Sequence, residues 1–266
     1  MSALHTLSYG DTGATPVTFL HGLFGQGRNW TSFARALAED GYRVVLPDLP
    51  DHGRSPWTSH VDYLTMAKAV GETLAEADER PWRVVGHSMG GKVAMLLALE
   101  QPVRVDRLCV VDIGPSESAG VSGFDTYVAA MRSVPLDAST SRASADAQMA
   151  KTVPDDRVRA FLLQNLRREG DGWRWQANLD VLGTELPVLG GFPLAAAQSL
   201  LPYEGPVLWV AGARSGYVRR DDAETMRSLF PRTRLVTVAD AGHWVHTDQP
   251  RVFTEILERF LAASTS

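Results

Sequence analysis

Five consecutive residues, Gly86-His87-Ser88-Met89-Gly90, have the G-x-S-x-G spacing of a nucleophile turn. The spacing has a steric reason. A serine whose hydroxyl must project toward a substrate sits in a strained backbone conformation, and side chains two residues to either side would strike the adjoining strand and helix, so glycine stands there. The helix that follows aims its first N–H groups and its positive dipole end at the place where an oxyanion would form. A serine hydroxyl is a poor nucleophile and needs a base. Two histidines lie beyond Ser88, both in Ala241-Gly242-His243-Trp244-Val245-His246. His243 follows a glycine directly after the last predicted strand and is the favoured base, whereas His246 reads as a packing or capping residue. For the acid that orients the base, Asp112, Asp221 and Asp222 are candidates. Asp112 ends a predicted strand, where it could also accept backbone N–H bonds; Asp221 and Asp222 read more simply as charges at a helix start.

These residues require elements that bring them to one edge. Apolar runs at residues 17–20, 43–46, 83–86, 107–113, 206–211 and 234–238 predict short Val- and Leu-rich strands. Between them, residues 29–39, 62–77, 90–100, 221–230 and 250–261 have helical spacing, with Gly41 as a cap and Pro250 in a first turn. Such alternation predicts an α/β fold with a mostly parallel sheet covered by helices on both faces. The rhythm breaks at Gly114-Pro115. From there to Pro202 the chain shows helical segments at 124–131, 143–152 and 155–168 and no clear strand. The expectation is one core, residues 1–114 and 203–266, interrupted by a helical insertion at 115–202.

The composition supports a single elaborated domain: 266 residues, 44% of them apolar, with a formal charge of −5. That charge argues against the basic surface a nucleic-acid partner needs. No apolar run approaches the ~20 residues of a bilayer span, and the N-terminus shows neither the basic nor the apolar region of a signal peptide. With Cys109 as the one cysteine, no intrachain disulfide forms, and a reducing cytoplasm is the simplest location. No cysteine-built or clustered metal site and no G-x-G-x-x-G after the first strand is visible, so neither a metal nor a dinucleotide cofactor is expected.

Four motifs together resemble the α/β-hydrolase superfamily: His21-Gly22-Leu23-Phe24-Gly25, residues 48–55 (DLPDHGRS), residues 86–91 (GHSMGG) and residues 241–244 (AGHW). Residues 112–115 (DIGP), 161–163 (FLL), 172–178 (GWRWQAN) and 215–218 (SGYV) resemble, more narrowly, the compact YbfF-type esterases. The resemblance implies a helical cap inserted after the sixth strand and a Ser88, His243, Asp112 triad. Serine, Ser215, stands where the superfamily commonly has aspartate; the YbfF-type arrangement instead implies the acid after the preceding strand, at Asp112. Backbone amides of Leu23 and Met89 would form the oxyanion hole. Phe24 and Trp244 would border the pocket, and Phe124, Tyr127, Met131, Phe161, Leu162, Trp173, Trp175 and Phe192 could line it or form the insertion's own core. Asp48, His52 and Gly53 read as a scaffolding turn, His21 as loop-ordering, His87 as packing, Arg167-Arg168 as a solvated helix face and Cys109 as buried packing. The implied activity is cofactor-free hydrolysis of a small-molecule carboxylic ester or thioester of short or medium acyl chain, by a monomer or small homo-oligomer. Carbon–carbon bond hydrolysis and perhydrolysis use the same residues. A hydrolase-like ligand receptor is the alternative from another class.

Overall fold

The computed structural model describes residues 3–116 and 123–263. Met1 and Ser2, and residues 117–122 at the start of the expected insertion, lie outside the described residues. The chain opens with strands β1 (Thr6–Tyr9) and β2 (Thr15–Leu20). Then come α1 (Thr31–Glu39), β3 (Tyr42–Pro47), α2 (Tyr63–Ala77), β4 (Trp82–His87), α3 (Met89–Glu100) and β5 (Val105–Val111). The insertion holds helices α4 (Phe124–Arg132), α5 (Arg142–Met149) and α6 (Asp156–Leu163), and strands β6 (Leu166–Glu169) and β7 (Gly172–Trp175). Three short helices complete it: α7 (Leu179–Thr184), α8 (Leu186–Gly190) and α9 (Leu194–Gln198). The chain closes with β8 (Val207–Gly212), α10 (Asp222–Leu229), β9 (Thr233–Val238), α11 (Val245–Asp248) and α12 (Pro250–Ala262).

Among the described residues one sheet of seven strands runs in the order β1-β3-β2-β4-β5-β8-β9, parallel except for β1. Side chains alternate between its faces. Val84, Leu108, Val110 and Trp209 join the core beneath α2 and α3, whereas Val85, Cys109, Val111 and Val210 pack under α1 and α12. Strands buried on both faces read as unbroken apolar runs, which is why the central ones are legible in sequence. Helix α3 is buried from Met89 to Leu99, in keeping with an apolar surface all round. Local chemistry sets the boundaries: Asp62 caps α2 by accepting from the Leu64 and Thr65 amides, and Pro250 begins α12.

Three expectations need correction. Strand β1 was not anticipated: it has four residues, half-buried, and pairs antiparallel at the edge, so it carries little apolar signal. The insertion follows the fifth strand in the chain, not the sixth, because only β1 precedes β2 among the described residues. The helix expected over 155–168 ends at Leu163, and β6 and β7 form a hairpin whose turn uses Gly170 at φ 56°. Arg167 and Arg168 therefore lie on a strand, not a helix face. The Arg168 guanidinium sits 5.2 Å from the centre of the Trp173 ring, and Arg167 Nε donates to Gln176 Oε1 at 2.9 Å. Cross-strand pairing and cation–π stacking outweigh the helical spacing of the apolar residues there.

Candidate active site

Ser88 joins β4 to α3 with φ 53° and ψ −120°, a conformation that side-chain-bearing residues rarely adopt. A Cβ at Gly86 would overlap the Gly90 carbonyl, and one at Gly90 would overlap the Leu20 carbonyl, so both flanking glycines are sterically required. The turn is tied to the neighbouring strand by Ser88 N–H donating to Val111 O at 3.0 Å.

Asp112, directly after β5, is fully buried and also has positive φ, 52°. Its N–H donates to Val210 O at 2.9 Å. Its Oδ1 accepts from the Gly212 amide at 2.9 Å, and its Oδ2 accepts from the Ser215 hydroxyl and from His243 Nδ1 at 2.8 Å. A buried carboxylate offers only acceptors, which assigns the His243 proton to Nδ1 and leaves Nε2 as the free base. That Nε2 lies 3.0 Å from Ser88 Oγ. The sequence-predicted Ser88, His243 and Asp112 are thus brought together. Asp221 and Asp222 are not: Asp222 accepts from the Arg219 amide at 2.8 Å and packs against Gly114, and Asp221 precedes α10. Ser215 occupies the turn after β8 and contributes a hydrogen bond to Asp112 instead of a carboxylate.

His87 does more than the packing expected of it. Although it neighbours Ser88, its Nε2–H donates to the His243 carbonyl at 2.9 Å and its ring lies 4.7 Å from the His243 ring. Tyr217 covers the other side of His243 at 4.1 Å between centroids. His243 is therefore held between two rings. The signal for His87 was available only as adjacency, since its partner is 156 residues away. His246 packs as read, its ring 4.3 Å from that of Trp30.

The loop after β2 approaches Ser88 closely: a Cβ at Gly22 would lie 3.3 Å from Ser88 Cβ. The loop's turn is closed by Gly25 N–H onto Gly22 O at 2.9 Å, which does not use the Leu23 amide. Met89 is the first residue of α3, so its N–H has no acceptor within the helix. Phe24 holds φ 60°, and its N–H donates to His52 Nε2 at 3.1 Å while His52 Nδ1–H donates to Pro50 O at 2.8 Å. His21 is used in the same way, Nδ1–H donating to Gly22 O and Nε2 accepting from the Leu49 amide, both at 2.9 Å. Asp48 accepts from the Gly27 and Arg54 amides at 2.7 and 2.9 Å. Burial drives His52 and His246 down to about 3 and lowers His21 and His87 as well. Each ring is thus neutral at pH 7, as the acceptor roles of His21 and His52 demand. Cys109 is buried on β5, and burial pushes its thiol pKa up, away from reactivity.

A cavity of about 780 Å³ opens over Ser88 and His243. Its lining includes Leu23, Phe24 and Trp244 from the core and Phe124, Tyr127, Phe161 and Leu162 from the insertion. Phe161 stacks on Trp244 at 5.6 Å, joining the two parts across the cavity. Met131, Trp175 and Phe192 are buried in the insertion's packing instead, and Trp173 stacks with Arg142 and Arg168. The sequence reading missed Tyr217 as a wall residue, together with the polar lining residues Asn29, Ser32, Arg157, Thr247 and Asp248.

A serine at a strand-to-helix turn, linked to histidine and aspartate at the C-terminal edge of a parallel sheet, defines the class of the α/β hydrolases. Residues 15–250 match the family model described as alpha/beta hydrolase fold, and the chain belongs to that family. It is 39% identical over 263 residues to the sn-1-specific diacylglycerol lipase ABHD11 of Mus musculus, covering 97% of this chain and 84% of the relative. It is 31% identical over 247 residues to esterase YbfF of Escherichia coli, covering 93% of each. A solved structure titled marine microorganism esterase superposes with a TM-score of 0.89 at 31% identity, over 97% of this chain and 99% of the other. Among the described residues no helix is long and apolar enough to cross a membrane.

Proposed function

We propose that the protein is a cofactor-independent serine hydrolase of carboxylic esters, thioesters included, with short to medium acyl chains. The observation that carries this reading is the continuous chain of hydrogen bonds from Ser88 Oγ through His243 to Asp112, at 3.0 and 2.8 Å, opening into an apolar cavity. His243 Nε2 removes the Ser88 proton as Oγ attacks the ester carbonyl carbon. The oxyanion is held by the Leu23 and Met89 amides, preorganised donors that need no rearrangement during reaction. Asp112 keeps the proton of His243 on Nδ1 and stabilises the imidazolium. His243 then protonates the departing alcohol, and a water, activated by the same nitrogen, releases the acid from the acyl-enzyme. Residues 115–202 act as a cap whose aromatic side chains receive the acyl chain. The esterase and lipase names of the relatives support ester chemistry over carbon–carbon cleavage or perhydrolysis. The test is hydrolysis of p-nitrophenyl esters of increasing acyl length, with Ser88→Ala as control. Ser88-dependent turnover is expected on short and medium chains; its absence across the series would overturn the proposal.

A further inference from the structure

Lys92 is a buried lysine that the chemistry above does not use. Only 2% of its surface is exposed, and its ammonium donates to three backbone carbonyls: Leu189 at 2.9 Å, Gly190 at 2.8 Å and Gly191 at 2.7 Å. An ammonium has three N–H donors and no acceptor, so these carbonyls, at the end of α8, saturate it. No carboxylate pairs with it among the described residues. Tyr63 supports the same junction, its hydroxyl donating to Leu189 O at 2.8 Å and its ring lying 5.5 Å from the ammonium. Burial lowers the Lys92 pKa to about 7, a measure of what enclosing the charge costs. A methionine would fill a similar volume without that cost, so the packing alone does not call for lysine.

The position of Lys92 links two parts of the site. Its N–H donates to Ser88 O at 3.2 Å, so its side chain leaves the first turn of the nucleophile's own helix. On the other side, α8 packs on α7 and α7 on α4, and Arg132 of α4 donates to Leu179 O at 2.9 Å. Helix α4 carries Phe124 and Tyr127 into the cavity. We propose that Lys92 is a positioning residue that sets the seat of the insertion relative to Ser88, and through the Phe124–Tyr127 wall determines the acyl-chain length the site accepts. The inference rests on the reading that Ser88 hydrolyses esters whose acyl chain enters this cavity.

The test compares p-nitrophenyl acetate with p-nitrophenyl octanoate in the wild type and Lys92→Met. The octanoate-to-acetate ratio of kcat/KM is expected to fall about tenfold, carried by KM, the scale of a lost charge-assisted contact. A purely structural lysine would lower both esters by the same factor; an unchanged ratio overturns the proposal. Tyr63→Phe is the second variant should Lys92→Met fail to fold: it is expected to shift the ratio in the same direction by a smaller factor, and a flat ratio overturns the proposal. Octanoate binding, followed by tryptophan fluorescence in Ser88→Ala with and without Lys92→Met, needs no turnover. A weakening of about tenfold is expected, and equal affinities overturn the proposal. Wild type without Ser88-dependent hydrolysis on either ester would instead remove the esterase reading, with octanoate binding still deciding the role of Lys92.

Discussion

The C-terminal edge of the sheet and the insertion facing it hold their side chains by different means. At the edge, Ser88 and Asp112 stand on positive-φ turns whose own backbone is hydrogen-bonded into adjacent strands. In the insertion, the wall residues stand on helices of five to nine residues. These reach the core through side chains such as Asn165, which donates to Phe24 O and accepts from Gln26, both at 2.7 Å. Strained, overdetermined backbone holds its side chains in one geometry, and a misplacement of about 1 Å at a reacting centre costs about a hundredfold. Side-chain contacts between packed layers tolerate adjustment, which suits a wall that selects substrates. Substitutions at Ser88, Asp112 and His243 should therefore act on every substrate alike, whereas substitutions in the insertion, or at Lys92 where it meets the insertion, should discriminate among substrates.

The strongest way to break this contrast is at Asp112. Asp112→Asn should lower kcat by about ten-thousand-fold on short and long esters alike, through the wrong His243 tautomer, while Asp222→Ala stays within a few-fold. Steady-state kinetics on two acyl lengths checks both; comparable losses at the two positions would refute the assignment. Next in size, His87→Ala should lower kcat about tenfold with little dependence on acyl length, because it releases the His243 carbonyl and one wall of its ring. A length-dependent KM effect would place His87 with the substrate wall instead. Phe161→Ala should do the reverse, raising KM for medium chains a few-fold while acetate turnover changes less.

The smallest effect at neutral pH becomes visible in acid. His52 and His246 titrate near 3 when folded and near 6.5 when unfolded, so below about 6.5 the unfolded chain binds more protons. Their contribution to stability is complete above 6.5 and is lost as pH falls toward 3. Residues 115–202 contain no histidine. Hydrogen exchange at pH 7.5 and 4.5 should show the larger loss of protection in the β3–α2 turn that carries His52, in the β2–α1 loop whose Phe24 amide it accepts, and in α11, not in the insertion's helices.

Much of the edge was legible because its constraints leave short-range signatures in the chain. Glycine at 86, the Pro/Asp/Gly turn after β3 and the double-faced apolar strands can each be read from a few residues, and glycine at 90 marks the close approach of the Leu20 carbonyl from β2. The insertion was less legible. Its β6–β7 hairpin looked helical because Phe161, Leu162 and Leu166 recur at helical spacing, and only the pairing of Leu166 with Trp175 reveals the strand. Wall residues and packing residues there share one composition, so Phe124 in the cavity lining and the buried Phe192 could not be told apart without coordinates.

The sequence by itself determined a parallel α/β sheet, a serine on a glycine-flanked turn and a histidine in a glycine-containing loop, because apolar periodicity and turn chemistry are written in runs of a few residues. The resemblance pointed to Asp112, and tertiary structure decided that its carboxylate, not that of Asp221 or Asp222, meets a histidine 131 residues away, that Ser215 hydrogen-bonds to it, and that His87 holds the loop carrying His243. It also decided where Lys92 finds its three carbonyls. Hydrogen bonds reach about 3 Å, and only the folded sheet brings such distant residues within that range.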